Sequence, residues 1–144
     1  MKNYKLLFAC VIGLLILAGC ASTSTSRTNN LDFVGLEEPL GLTREELKEL
    51  YGIEVPANNI VPDFPNVGDL GGLSFDQNGR LTRIELPFPL NEFDNLVRRN
   101  TEQLGEPIQR GADLVIWNLK PSAKIFAFVQ RYPGLVVAGA AYGN

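Results

Sequence analysis

Histidine is absent from all 144 residues. No Ser-His-Asp triad, histidine general base or His-ligated metal site can be built from this chain. Cysteine is nearly absent too, with Cys10 and Cys20 alone. Positive charge is also scarce: 13 Lys and Arg face 16 Asp and Glu, for a formal charge of −3. Nucleic-acid binders carry a basic face, so nucleic acid is not an expected partner. A long apolar run is missing as well. The longest, Leu6 to Leu17, would make a helix of about 18 Å, short of the ~30 Å core of a bilayer. The length suits one domain and leaves no room for two full cores.

What is present begins with Lys2 and Lys5 ahead of that apolar run, the n-region and h-region of a signal peptide. Leu17-Ala18-Gly19-Cys20 follows and resembles the lipobox of bacterial lipoproteins. The resemblance implies cleavage between Gly19 and Cys20, a diacylglycerol thioether on the Cys20 thiol, and acylation of the new amino group. Two or three acyl chains, at about 0.8 kcal/mol per buried CH₂, anchor a protein durably. Residue Ala21 is not the Asp that commonly causes inner-membrane retention. The expected location is therefore the outer membrane, facing the periplasm, in preference to the inner membrane.

Residues 1–19 are then the signal, 20–30 a lipidated cysteine with a polar Ser/Thr tether, and 31–144 a single periplasmic domain. Loss of Lys2 and Lys5 takes the 13 basic residues to 11 and the charge from −3 to −5. Cys10 leaves with the signal and Cys20 carries lipid, so the domain has neither thiol nor disulfide. No metal or cofactor is implied.

Within the domain, Thr43-Arg44-Glu45-Glu46 reads as a capping box, with Leu42 and Leu47 as a hydrophobic staple. Leu47, Leu50 and Tyr51 form the expected inner stripe of a short helix stopped by Gly52. Residues 53–69 read as an ordered loop pinned by Ile60, Val61 and Phe64. Asn78-Gly79 predicts a two-residue type I′ hairpin pairing Phe75 with Thr82 and Leu73 with Ile84. Asp76-Gln77-Asn78-Gly79 begins like a calcium loop but lacks the later ligands. A second helix is expected over 91–104, capped by Asn91, buried through Phe93, Leu96, Val97 and Leu104, and stopped at Gly105. Arg98 and Arg99 read as a solvated, dipole-favoured pair.

Three apolar runs close the chain: Leu114–Leu119, Ile125–Gln130 and Leu135–Tyr142. They read as antiparallel strands, Trp117 paired with Phe126, Val115 with Phe128, Phe128 with Gly139 and Phe126 with Ala141. The fold class is α+β, in the order α-β-β-α-β-β-β. Two short helices pack on one face of an antiparallel sheet of about five strands, an order compatible with a degenerate duplication.

In this register the second face carries Leu114, Ile116, Ile125, Val129 and Tyr142. A sheet with one wet side alternates apolar with polar residues, whereas these strands are apolar on both sides. That face is the expected interaction surface unless residues 31–40 and the 53–69 loop cover it.

Gly41-Leu42-Thr43-Arg44-Glu45-Glu46-Leu47, with Leu50 and Gly52, resembles the helix motif of the small SmpA/OmlA (BamE-type) outer-membrane lipoproteins. Phe75-Asp76-Gln77-Asn78-Gly79-Arg80-Leu81 is similar to the hairpin of that family and of the β-lactamase-inhibitor-like fold. The likeness spans about fifty residues. It departs where no proline follows Gly52 and where the final strands run on. It implies helices on one face of an antiparallel sheet and a non-catalytic role in binding envelope proteins.

The expected function is a non-enzymatic assembly or maintenance factor with an envelope protein partner or self-association. The alternative is a ligand-binding or enzyme-inhibitor module with a pocket at Trp117, Tyr132 or Tyr142. An enzyme would need paired carboxylates in a cleft; Glu37-Glu38 reads as acidic surface. Cys20→Ser is expected to block processing and release the protein from the membrane fraction. Unchanged fractionation would refute the lipid anchor.

Overall fold

The computed structural model describes residues 33–61 and 71–143. Gly19, Cys20, the tether, Leu31 and Phe64 lie outside them. Helix α1 (Arg44–Tyr51) and helix α2 (Phe93–Leu104) accompany seven strands. These are β1 (Ile60–Val61), β2 (Gly71–Phe75), β3 (Leu81–Phe88), β4 (Gln109–Arg110), β5 (Leu114–Lys120), β6 (Ile125–Tyr132) and β7 (Leu135–Tyr142). They form one antiparallel sheet in the order β1-β2-β3-β7-β6-β5-β4. The α+β class with both helices on one face stands. The two strands beyond the expected five are the two-residue edges β1 and β4, too short to leave a periodic signal.

Element order repeats, but geometry does not. Helix, short edge strand and hairpin occur twice, as α1-β1-β2-β3 and α2-β4-β5-β6. Strands β3 and β6 both run antiparallel to β7 and so parallel to each other, while the two triplets unfold outward in opposite directions. With both helices on one face, the halves are laid out as mirror images, which no rotation superposes. The expected duplication is thus one of order alone.

The capping box forms as read. The Glu46 N–H donates to Thr43 Oγ1 (3.3 Å) and the Thr43 N–H to Glu46 Oε2 (2.8 Å). Gly52 closes the helix in the left-handed region at φ 69°. The stripe is narrower than expected. Leu47 is buried, but Leu50 is 65% and Tyr51 37% exposed. The chain reverses at Gly52, and the Ile53 N–H donates to the Leu47 carbonyl (3.2 Å). Ile53, only 5% exposed, thus supplies the second apolar contact. Tyr51 stays at the rim, where burial, the Glu38 charge and a hydrogen bond to Glu38 raise its phenol pKa.

Asn91 does not cap the second helix. Pro89 opens a 3-10 turn over Leu90–Glu92 whose Glu92 N–H donates to the Pro89 carbonyl (3.0 Å), and α2 starts at Phe93 without a side-chain cap. The turn itself meets part of the need for a cap. Phe93, Leu96 and Val97 are buried as expected, and Leu104 packs partly buried against the core. Asn100 is wholly buried beside them, with neither side-chain polar atom hydrogen-bonded.

The Asn-Gly hairpin is not type I′. Gly79 has φ 73°, Asn78 is not among the positive-φ residues, and Asp76 Oδ1 accepts from the Asn78 and Arg80 N–H groups. Asp76 and Arg80 close a three-residue loop. Phe75 therefore faces Leu81 rather than Thr82. A bulge then makes Thr82 the extra residue, restoring Leu73 opposite Ile84 as expected. Leu81 is fully buried where Thr82 was expected, and Thr82 Oγ1 donates to the Ser74 carbonyl (3.1 Å).

Residues 33–42 form a strap on the helix side. Phe33 is fully buried, its N–H donating to Gln103 Oε1 on α2 (2.9 Å). At the other end the Gly41 N–H donates to the Leu81 carbonyl and the Leu81 N–H to the Leu42 carbonyl. One buried cluster joins Phe33, Leu47 and Leu96 to Ile84, Leu86, Trp117, Ala127 and Val129. Each large side chain there contributes about 1.5–3 kcal/mol of burial.

Two outcomes follow from this packing. Tyr51 is raised above its ordinary value, so its stabilising effect is complete below that value of 10.0 and is lost as pH rises through the raised one. Melting temperature should fall more steeply above pH 10 than in Tyr51→Phe. Asn100→Leu removes an unpartnered buried amide and should raise unfolding free energy in urea by about 1–3 kcal/mol.

Candidate functional site: the open sheet face

The two faces of the sheet are set by strand register. Val115 pairs with Val129, Ile116 with Phe128 and Trp117 with Ala127. This is one residue away from the expected pairing, and a one-residue slip exchanges the faces of a strand. The turn occupies Pro121–Lys124, with Lys124 left-handed at φ 52°, so Lys120 closes on Ile125. A bulge between Asn118 and Lys120 returns only part of that shift. The expected β6–β7 pairs hold: Phe128 opposes Gly139 and Phe126 opposes Ala141.

The five residues expected on one surface are therefore divided. Ile125 and Val129 belong to the helix-side core, 3% and 0% exposed. Leu114 and Ile116 are half-buried on the opposite, open face, whereas exposed Tyr142, paired with Ile125, directs its hydroxyl toward Gly41 of the strap and only borders the groove. Trp117 is also fully buried on the helix side, with its indole N–H unpartnered, and lines no surface groove among the described residues. The exposed Tyr132 hydroxyl donates to Gln130 Oε1 (2.8 Å). Strap residues Phe33, Leu36 and Leu40 join the helix-side core, so they do not cover the open face.

Sequence reasoning left out Phe126, Phe128 and Arg83 from this surface. The signal for the phenylalanines was the alternation of β6 against the small residues of β7, which placed both together but on the same face as Trp117. Phe128 is 5% exposed yet stands outside the helix-side cluster. Its cover is Arg83, whose guanidinium carbon lies 4.3 Å from the ring centroid. Arg83 Nε donates to Glu85 Oε1 at 2.8 Å, both side chains about one third exposed. An ion pair this wet contributes little alone. Its effect is to orient the planar guanidinium across the aromatic face.

Small residues let the rings lie low. A Cβ at Gly139 would run into the Ile84 carbonyl and the Phe128 ring, and one at Gly143 into the Phe126 ring. The result is a shallow groove of about 410 Å³. Leu114, Ile116, Phe126 and Phe128 form its apolar floor, with Ile108, Gln109, Gln130, Tyr142 and Arg83 around them. Of the strand residues on this face only Arg83 and Glu85 are charged.

Among the described residues no three Cys, Asp or Glu side chains converge as a metal site. Glu37 Oε2 accepts from the Gly35 N–H (2.9 Å) and Glu38 engages Tyr51, so the acidic pair serves local structure. No described helix is long and apolar enough to cross a membrane. Comparison with protein-family models, characterised proteins and solved structures finds no match. Gly139→Ala should cost about 1–3 kcal/mol or more in urea unfolding, because the obstructing atoms include backbone.

Proposed function

We propose that the chain is a lipid-anchored, non-catalytic envelope protein that acts through protein contacts made by its open sheet face. The observation that carries this reading is the groove itself. A contiguous apolar floor of Leu114, Ile116, Phe126 and Phe128 lies on the side of the sheet that the helices leave bare. Apolar surface rimmed by polar groups is the usual signature of an interaction site. The resemblance of Leu17-Ala18-Gly19-Cys20 to a lipobox supports a location at a membrane of the cell envelope, with the outer membrane favoured. The groove volume, about 410 Å³, also lies within the range of small-molecule sites. It supports a second reading as a ligand-binding or inhibitor module.

A photo-crosslinking residue in place of Ile116, in the full chain in intact cells, is expected to give protein adducts. The same residue in place of exposed Glu45 on α1 should give none. Membrane-anchored protein without adducts at Ile116 would overturn the protein-contact reading. A bound small molecule in the native mass spectrum would then favour the second one.

A further inference from the structure

We infer that the occupant of the open face is a second copy of this chain, packed sheet to sheet about a two-fold axis. The inference rests on the protein-contact reading above and names its partner. Among the described residues, the strap and both helices pack on the other side of the sheet and leave this face uncovered. Residues 21–30, Ala-Ser-Thr-Ser-Thr-Ser-Arg-Thr-Asn-Asn, contain no large apolar side chain. Phe33 enters on the helix side, bonded to Gln103.

Charge points to self-association. The chain carries a formal −3, or −5 without Lys2 and Lys5, so two copies repel on average. The open face alone is neutral, with one cation and one anion two residues apart on β3. An axis crossing the strands at the level of Ile84 exchanges those positions, setting each Arg83 against the other copy's Glu85. A face with one charge of each sign is thereby complementary to itself, as an isologous interface requires.

The area is adequate. Strands β3, β7, β6 and β5 offer a patch of about 27 Å by 19 Å from the usual rise and spacing. That is roughly 500 Å² in projection. Side-chain relief carries it toward the ~800 Å² per partner of a stable interface.

The test uses two full-length chains with tags of different size, produced together in intact cells, each carrying Ile116→Cys. The Cys20 thiol is occupied if the lipid anchor holds, so a bismaleimide reports on position 116. Adducts containing both tags at twice the chain mass are expected, with at least about tenfold less when Arg83→Glu or Glu85→Arg is present in both chains. Arg83→Glu in one chain and Glu85→Arg in the other should restore the mixed adduct. Unchanged thermal melting of each variant excludes misfolding as the cause. Adducts only with a protein of another mass would overturn self-association and leave the protein-contact reading intact. No adduct at all would overturn self-association, and the photo-crosslinker at the same position then decides the protein-contact reading.

Discussion

The strand ladder that joins the first hairpin to the second runs through β7. It is the last strand in the chain and the middle strand of the sheet, paired with β3 over Arg83–Phe88 and with β6 along its whole length. Neither flanking hairpin touches the other through a ladder. The sequence of β7, Leu-Val-Val-Ala-Gly-Ala-Ala-Tyr, suits that position. Ala138 and Ala140 leave helix-side volume for Ile84, Leu86 and the side chains of α1 and α2, while Gly139 and Ala141 let Phe126 and Phe128 lie low on the other side. The helix-side core and the open groove thus depend on one run of small residues.

The parts legible in advance were those whose signal is local. Thr43 and Glu46 specify a cap within four residues, Gly52 and Gly105 specify stops, and β6 and β7 reveal their pairing because Phe128 needs a small partner. The unread parts depend on parity or on tertiary contact. A bulge at Thr82 cancels a loop longer by one residue, so the first hairpin returns to its expected core pair. A bulge near Leu119 fails to cancel the later turn, so β5 presents Trp117 to the helices instead of to the phenylalanines. Nothing local to Leu114–Lys120 distinguishes those outcomes, because the strand is apolar on both sides. Leu50 misled for a similar reason. Its spacing suits an inner stripe, but the reversal at Gly52 lets Ile53 take the place.

The division of the expected surface changes its meaning. Ile125 and Val129 are structural, and the exposed remainder is a smaller aromatic and aliphatic floor. Arg83 belongs to both purposes: it shields Phe128 from water in the isolated domain and supplies one of two charges on a neutral field. Its bond to Glu85 is exposed enough to rearrange at little cost. The proposed association about the open face would draw on that freedom.

The entry of the chain at Phe33 has a mechanical consequence. A pull from the N-terminal side loads the buried Phe33 ring and its single bond to Gln103 near the end of α2, not the ladder of the sheet. Beyond Phe33 the strap is held by Leu36 and Leu40 in the core, by Glu38 on Tyr51, and by the bonds among Gly41, Leu42 and Leu81. Residues 33–40 therefore meet such a pull with buried side chains packed on the helix side, ahead of the strands of the sheet. A load arriving from the N-terminal side thus falls first on the helix-side core, away from the open face.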